Sequence, residues 1–273
     1  MRTALTIAGS DPSGGAGIQA DVKTFAAFGV YGASAVTAVT VQSTKGVDGI
    51  APLSADLVTA QIEAVASDLQ IAATKVGMLA TSAIVEAVAA AIEELDLPLV
   101  VVDPVLVSTS GARLLDDDGV AALCRGLMPL ARVVTPNLPE AEALSGIRIS
   151  SPGDARKAAR RIRDMGAAAV IITGGHGLEA NAGRNPGGDV VDLLLDGDTF
   201  AEFRTARVDS AHTHGTGCTF ASAVAAGLAL GRPLQDAAAR AQQYVAGAIA
   251  HAPGIGHGRG PLDHFWEWRS RPG

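Results

Sequence analysis

Residues 214–218 read His-Gly-Thr-Gly-Cys and lead into a small, apolar run, Thr-Phe-Ala-Ser-Ala-Val-Ala-Ala-Gly. Gly215 and Gly217 bracket Thr216, and Cys218 falls where a helix begins. Three chemistries fit this stretch: a nucleophilic thiol, a packed thiol, or a loop that holds negative charge. A glycine-rich turn entering a helix exposes several backbone N–H groups, and the helix dipole adds partial positive charge there. Such an anion hole suits the charge that develops on a transferring phosphoryl group. The competing reading is an ordinary loop-to-helix junction with Thr216 as N-cap.

The rest of the chain supplies context. "GSDPSGGAG" (9–17), "QSTKG" (42–46), "GML" (77–79), "DPV" (103–105), "TPNLPE" (135–140) and "TGGHG" (173–177) are polar or glycine-rich words, each following an apolar run. Neither a Walker P-loop nor a dinucleotide fingerprint is present: residues 9–17 lack the glycine spacing, and no Gly-Lys-Ser or Gly-Lys-Thr occurs. His212 and His214 stand two apart in a strand-like approach with no third ligand, which argues against a metal site. The two cysteines, Cys124 and Cys218, form neither a metal-spaced cluster nor a disulfide framework, so a reducing cytoplasm is the simplest setting.

The elements that must position these words alternate in type. Strand-like runs fall at 3–9, 34–42, 73–78, 98–105, 131–135 and 168–173. Helical patterns fall at 16–29, 54–69, 82–95, 117–127, from about Pro139, and 154–165, with Ser54 as an N-cap. Residues 189–205 carry two strand-like runs joined by Asp196-Gly197-Asp198, a hairpin signal, and helices follow at about 216–230 and 234–251. This rhythm predicts a three-layer α/β/α domain over residues 1–273, with a mainly parallel sheet and a small antiparallel edge. In such sheets ligands bind beyond the carboxyl ends of the strands, where all these words fall.

Composition narrows the function classes. The chain has 273 residues, 48% of them hydrophobic and 18% charged, which excludes wholesale disorder. A net charge of -7 gives no nucleic-acid or anionic-membrane surface. The N-terminal apolar run is short and broken by threonines, which suits a buried strand better than a signal peptide, and no stretch approaches the ~18 apolar residues of a membrane span.

Taken in order, "AGSDPSGGAGIQAD" (8–21), "VQSTKGV" (41–47), "KVGML" (75–79), "TPNLPEA" (135–141), "GGH" (174–176), "HGTGC" (214–218) and "GHGRGPLDHF" (256–265) resemble the hydroxymethylpyrimidine/phosphomethylpyrimidine kinases of thiamine biosynthesis, within the ribokinase-like superfamily. The resemblance spans nearly the whole chain. It implies ATP-dependent phosphorylation of 4-amino-5-hydroxymethyl-2-methylpyrimidine and then of its monophosphate, by a homodimer of ribokinase-like fold. Gln42 corresponds to the glutamine that reads the pyrimidine; its amide offers an acceptor and donors side by side, matching a ring nitrogen and an exocyclic amine. Met78 corresponds to a methionine packed on the ring, though a core position is the commoner fate of a methionine. Gly9, Ala16 and Val105 match small or apolar pocket positions, and Asp21, on the first helix, faces either the pocket or solvent.

For the nucleotide, Asn137 and Glu140 match the superfamily's Asn-x-x-Glu word, which organises Mg²⁺ and the phosphates; Asp103 is a second acid for the metal. The alternatives are a turn residue for Asp103 and a helix-start carboxylate for Glu140. The resemblance implies that Gly174, Gly175 and His176 line the nucleotide side. The amides of Gly215, Thr216 and Gly217 form the anion hole. Cys218 stands where many sugar-kinase relatives have aspartate as base. A helix N-terminus depresses a thiol pKa, which would let Cys218 accept the hydroxyl proton or hold the hydroxyl in line. Two departures stand out: Thr173 replaces a lysine common in relatives, so a cationic phosphate contact is missing or supplied elsewhere, and His212 replaces a common asparagine. Two rivals remain, a pyridoxal or dual-specificity kinase and a non-catalytic pyrimidine- or nucleotide-binding module.

Overall fold

The computed structural model describes residues 1–108, 111, 113–174 and 188–269. Nine strands form one sheet: β1 (Thr3–Ser10), β2 (Tyr31–Ser43), β3 (Gly46–Pro52), β4 (Ile71–Val76), β5 (Val100–Val102), β6 (Val133–Val134), β7 (Ala169–Ile172), β8 (Asp189–Asp196) and β9 (Thr199–Ala206). Their order is β3-β2-β1-β4-β5-β6-β7-β8-β9. From β2 to β7 every pairing is parallel. The helices are α1 (Gly17–Ala27), α2 (Ala55–Asp68), α3 (Ser82–Glu94), α4 (Asp117–Ala122), α5 (Leu138–Ser145), α6 (Pro152–Arg163), α7 (Thr216–Ala229), α8 (Leu234–Ala250) and the short α9 (Trp266–Arg269).

Strand side chains alternate between two cores, as a period of two requires. Leu5, Ile7, Val100 and Val102 pack with Ile62 of α2, Val88 of α3 and Ile162 of α6. Ala4, Val101 and Ile171 face the other way, onto Phe25 of α1, Phe220 of α7 and Tyr244 of α8. Helices therefore cover both faces, giving the three-layer, mainly parallel architecture expected from the sequence.

Both edges are antiparallel. The β8–β9 hairpin turns at Gly197, as its sequence signals. At the opposite edge, residues after Gln42 are more than a strand-end loop, because β3 folds back onto β2. Two glycines and Pro52 hide that strand in the sequence, and such residues are tolerated at an edge. The expected strand at 98–105 shortens to Val100–Val102, and Asp103 leaves the ladder just before Pro104. The expected helix at 117–127 ends its α geometry at Ala122 and continues as a π turn over Leu123–Leu127.

Candidate active site

Past the carboxyl ends of the parallel strands lies a cavity of about 710 Å³. Among the predicted site residues, Gly9, Ala16, Gln42, Met78, Asp103, Val105, Asn137, Glu140, Gly215, Thr216, Gly217 and Cys218 all line it. Gly175 and His176 lie outside the described residues. Gly174 is held at the edge of the site, its amide donating to buried Asp192, which lines the cavity. Gln242 donates to the other oxygen of Asp192, and burial raises that carboxyl to about 6.

Two glycine loops meet at the cavity. Asp11 organises the first: its carboxylate accepts from the amides of Ser13 (2.8 Å), Gly15 (3.2 Å) and Ala16 (2.8 Å) and from the Ser13 hydroxyl (2.9 Å). These bonds and His214 outweigh burial and hold Asp11 at about 2. The second loop starts α7, whose N-cap is Gly215 at φ 83°, with no side-chain cap. Thr216 is not the cap; its hydroxyl donates to the Thr213 carbonyl instead. Apart from the Thr216 amide, which makes a long 3.4 Å bond to the Thr213 carbonyl, the first-turn amides of α7 thus have neither an intrahelical acceptor nor a side chain capping them. Gly215 is required twice over, by its left-handed backbone and by the carbonyl of Gly15, which occupies the place of an added Cβ.

Beneath the loops sits a charged floor that the sequence reading missed. Lys75, on β4, is wholly buried and donates to Asp21 Oδ2 at 3.0 Å. Asp21 also accepts from Thr6 (2.6 Å) and Ser222 (2.7 Å), so every partner of this carboxylate is internal. That corrects the expectation for Asp21: it faces neither solvent nor the cavity but lies behind the cavity wall, anchoring Lys75, which does line the cavity. Lys75 Nζ lies 3.9 Å from Asp103 Oδ2, an atom with no hydrogen-bond partner among the described residues. Burial raises Asp103 to about 6, with Lys75 opposing and Asp21 adding to the rise.

Cys218 keeps part of its surface on the cavity, and its thiol faces the Asp103 carboxylate. The expected lowering of its pKa does not occur. Burial pushes the thiol up to about 12, with Asp103 and Asp21 adding to the rise against Lys75. Burial, not the helix start, decides the state of this thiol.

Asn137 and Glu140 form a capping box on α5: Asn137 Oδ1 accepts from the Glu140 amide at 2.9 Å, and Glu140 Oε2 from the Asn137 amide at 3.0 Å. Glu140 is nonetheless raised to about 8, first by burial and then by the charge of Asp103. Two buried acids that repel each other, one with an orphaned oxygen, suit a hard cation that keeps several waters and takes few carboxylates. Among the described residues no group of three or more potential metal ligands is assembled.

On the opposite wall, Met78 packs with Ala38 and Leu114 and touches Val105. An added Cβ on Gly9 would stand 3.0 Å from Met78 Sδ, so glycine there keeps a slot open beside the sulfur. Gln42, next to last in β2, reaches both Thr40 and His214. Arg207 and Arg259 also line the cavity, and neither stood out in the sequence. Of the missed residues, Lys75 carried the one available signal, a lone charge inside the apolar run Ile-Ala-Ala-Thr-Lys-Val.

A doubly covered parallel sheet, a glycine-started helix aimed into its carboxyl-end cavity and buried acids beside it define a ribokinase-like small-molecule kinase. The family model for phosphomethylpyrimidine kinase matches residues 11–263, and the chain belongs to that family. It is 48% identical to the hydroxymethylpyrimidine/phosphomethylpyrimidine kinase of Bacillus subtilis, covering 96% of this chain and 94% of that one. It is also 48% identical to a thiamine biosynthesis bifunctional protein of Geobacter sulfurreducens, covering 96% of this chain but 52%, about half, of that protein's length. In structure it resembles the ADP complex of Bacillus subtilis pyridoxal kinase, with a TM-score of 0.88 and 37% identity over 99% of this chain and all of that one.

Proposed function

We propose that this protein uses MgATP to phosphorylate the hydroxymethyl group of 4-amino-5-hydroxymethyl-2-methylpyrimidine, and then phosphorylates the monophosphate to the diphosphate, as one kinase domain of thiamine biosynthesis. The observation that carries the reading is the single cavity in which Gln42 and Met78 face the uncapped start of α7. Gln42 reads the polar edge of the ring, Met78 packs on its face, and Gly9, Ala16 and Val105 keep the slot flat and narrow.

The amides of Gly215, Thr216 and Gly217 stabilise charge on the transferring phosphoryl group. Cys218, a thiol at neutral pH, donates to Asp103 and accepts the substrate hydroxyl on its sulfur, which holds the hydroxyl in line; in a loose transition state the hydroxyl proton leaves late and passes to an oxygen of the transferred phosphoryl group. Lys75, fixed by Asp21, adds positive charge at the floor. Asp103 and Glu140 would hold Mg²⁺, partly through water, and the metal would neutralise charge on the phosphates. Asn137 shapes the same turn, and the segment from Gly174 through Gly175 and His176 borders the nucleotide. Arg207 and Arg259 serve in place of the lysine that Thr173 replaces.

Val39 and Val41, 49% and 63% exposed on β2, support a homodimer through the open face at the β2–β3 end of the sheet. Among the described residues no helix is long and apolar enough to cross a membrane, which fits a cytoplasmic enzyme.

The structural likeness to a pyridoxal kinase favours a second reading, in which the flat aza-aromatic acceptor is pyridoxal. Purified protein with MgATP and, separately, hydroxymethylpyrimidine, its monophosphate and pyridoxal, followed by mass spectrometry, decides between them. Turnover of both pyrimidines is expected. Turnover of pyridoxal alone overturns the main reading, and tight pyrimidine binding without turnover reduces the protein to a binding module.

A further inference from the structure

His214 Nε2 lies 2.8 Å from Asp11 Oδ2. Asp11 is an ionised, acceptor-only carboxylate, so this nitrogen must carry a proton, whether the ring is neutral or cationic. The ring is fixed as well: the His214 amide donates to the Gly260 carbonyl, and the ring sits against Gly15, where a Cβ would collide with it.

The same Nε2 lies 3.2 Å from the Gln42 amide. With Gln42 Nε2 turned to the histidine, two N–H donors oppose each other. In that orientation Oε1 sits 3.1 Å from Thr40 Oγ1, whose single proton already has the Ser10 carbonyl at 2.9 Å. Half a turn of the amide removes both conflicts: Oε1 then takes the longer arm of a three-centre bond from the Nε2 proton that His214 shares with Asp11, and Nε2 donates to the Thr40 oxygen. Amide oxygen and nitrogen have nearly the same shape, so the hydrogen-bond partners decide their places.

We propose that His214, tied to Asp11, is a positioning residue that fixes the Gln42 amide with oxygen toward His214 and nitrogen toward Thr40, and so sets the donor–acceptor order a ring substrate must present. Each end keeps one unused position, an acceptor on the His214 side and an N–H on the Thr40 side. The matching ligand edge is an exocyclic amine next to a ring nitrogen, with the amine nearer His214. This deepens the aminopyrimidine reading and rests on it for the identity of the ligand.

Long-range ¹H–¹⁵N spectra of the ligand-free, histidine-labelled protein are expected to show His214 protonated at Nε2 at neutral pH; a bare Nε2 overturns the proposal. By calorimetry the protein is expected to prefer the 4-amino pyrimidine over its 4-oxo analogue, which reverses the order of donor and acceptor, by about tenfold or more. His214→Phe is expected to shrink that ratio severalfold with the KM for ATP unmoved, and His214→Gln, which can still donate, to restore part of it. An unchanged ratio in His214→Phe overturns the proposal. If that variant does not fold, Thr40→Val removes the other anchor and is read by the same ratio. Absence of pyrimidine turnover in the intact protein would remove the proposed function, while the Nε2 proton and the binding ratio would still decide the role of His214.

Discussion

Lys75 Nζ and Asp21 Oδ2 form a 3.0 Å ion pair with neither side chain exposed. Burying two charges is costly, and removing one partner leaves the other uncompensated, typically at about 3–5 kcal/mol. Asp103, 3.9 Å from the lysine, compensates only in part. Asp21→Ala is therefore expected to lower stability on that scale in chemical denaturation, and to lower kcat through a displaced Lys75. The KM for the pyrimidine should change little, since Asp21 is not on the cavity wall. A variant of normal stability with a raised pyrimidine KM would return Asp21 to the substrate.

Cys218 sits at a helix start yet stays protonated at neutral pH, because burial and two acids push its thiol up to about 12. Alkylation by iodoacetamide, followed by peptide mass spectrometry, is expected to be slow at pH 7.5 and to keep accelerating beyond pH 10. Cys218→Ser keeps a group that can donate to Asp103 and accept the substrate hydroxyl, so kcat should fall by no more than about tenfold. General acid–base groups are worth about 10²–10⁴-fold. A loss in that range would assign proton transfer to the thiol.

These two cases show how much was legible in the sequence. Gln42, Asp103, Asn137 and Glu140 could be picked out because each falls in a polar word that follows an apolar run, and because Gln42, Asn137 and Glu140 match the family's motifs; the topology brings such words to one edge. Lys75 could not be interpreted alone, since its partner lies 54 residues earlier on another element. The link between Asp11 and His214 spans 203 residues. Strand β3 was hidden for a local reason: Gly46, Gly49 and Pro52 erase the alternation that marks a strand. Local pattern reports elements and the words at their ends, while side-chain pairing across the sheet needs the fold itself.

Glycine positions in the two walls predict different failures. Gly215→Ala places a Cβ on the Gly15 carbonyl and forces a left-handed backbone that alone costs about 1–3 kcal/mol. Thermal unfolding should drop, and the KM for ATP should rise as the start of α7 shifts. Gly9→Ala makes its one tight contact with Met78 Sδ at 3.0 Å, the flexible part of a side chain, and ordinary contact with the Ala38 carbonyl at 3.6 Å. Its fold should survive, while the KM for the pyrimidine rises by an amount worth about 1–3 kcal/mol, the scale of an overpacked contact. Equal effects of Gly9→Ala on both substrates would place the ring elsewhere.

The paired acids give a pH dependence whose sign is opposite to that of ordinary surface carboxylates. Asp103 rises from 3.8 to about 6 and Glu140 from 4.5 to about 8, so the folded protein holds protons that the unfolded chain has lost. Their contribution to stability is complete below the unfolded values and is lost as pH rises through about 6 and then about 8. Denaturation between pH 4.5 and 8.5 should show this decline in the wild type and much less of it in Asp103→Asn/Glu140→Gln. Asp192, also near 6, contributes in both proteins, so the difference between the curves is the quantity to read. A cation binding at the pair must displace the same protons. Mg²⁺ titrated into the ADP-bound protein should therefore bind more tightly at pH 8 than at pH 6 and release protons, detectable by calorimetry in buffers of different ionisation enthalpy. Binding that is independent of pH, or equal in the double variant, would move the metal away from Asp103 and Glu140.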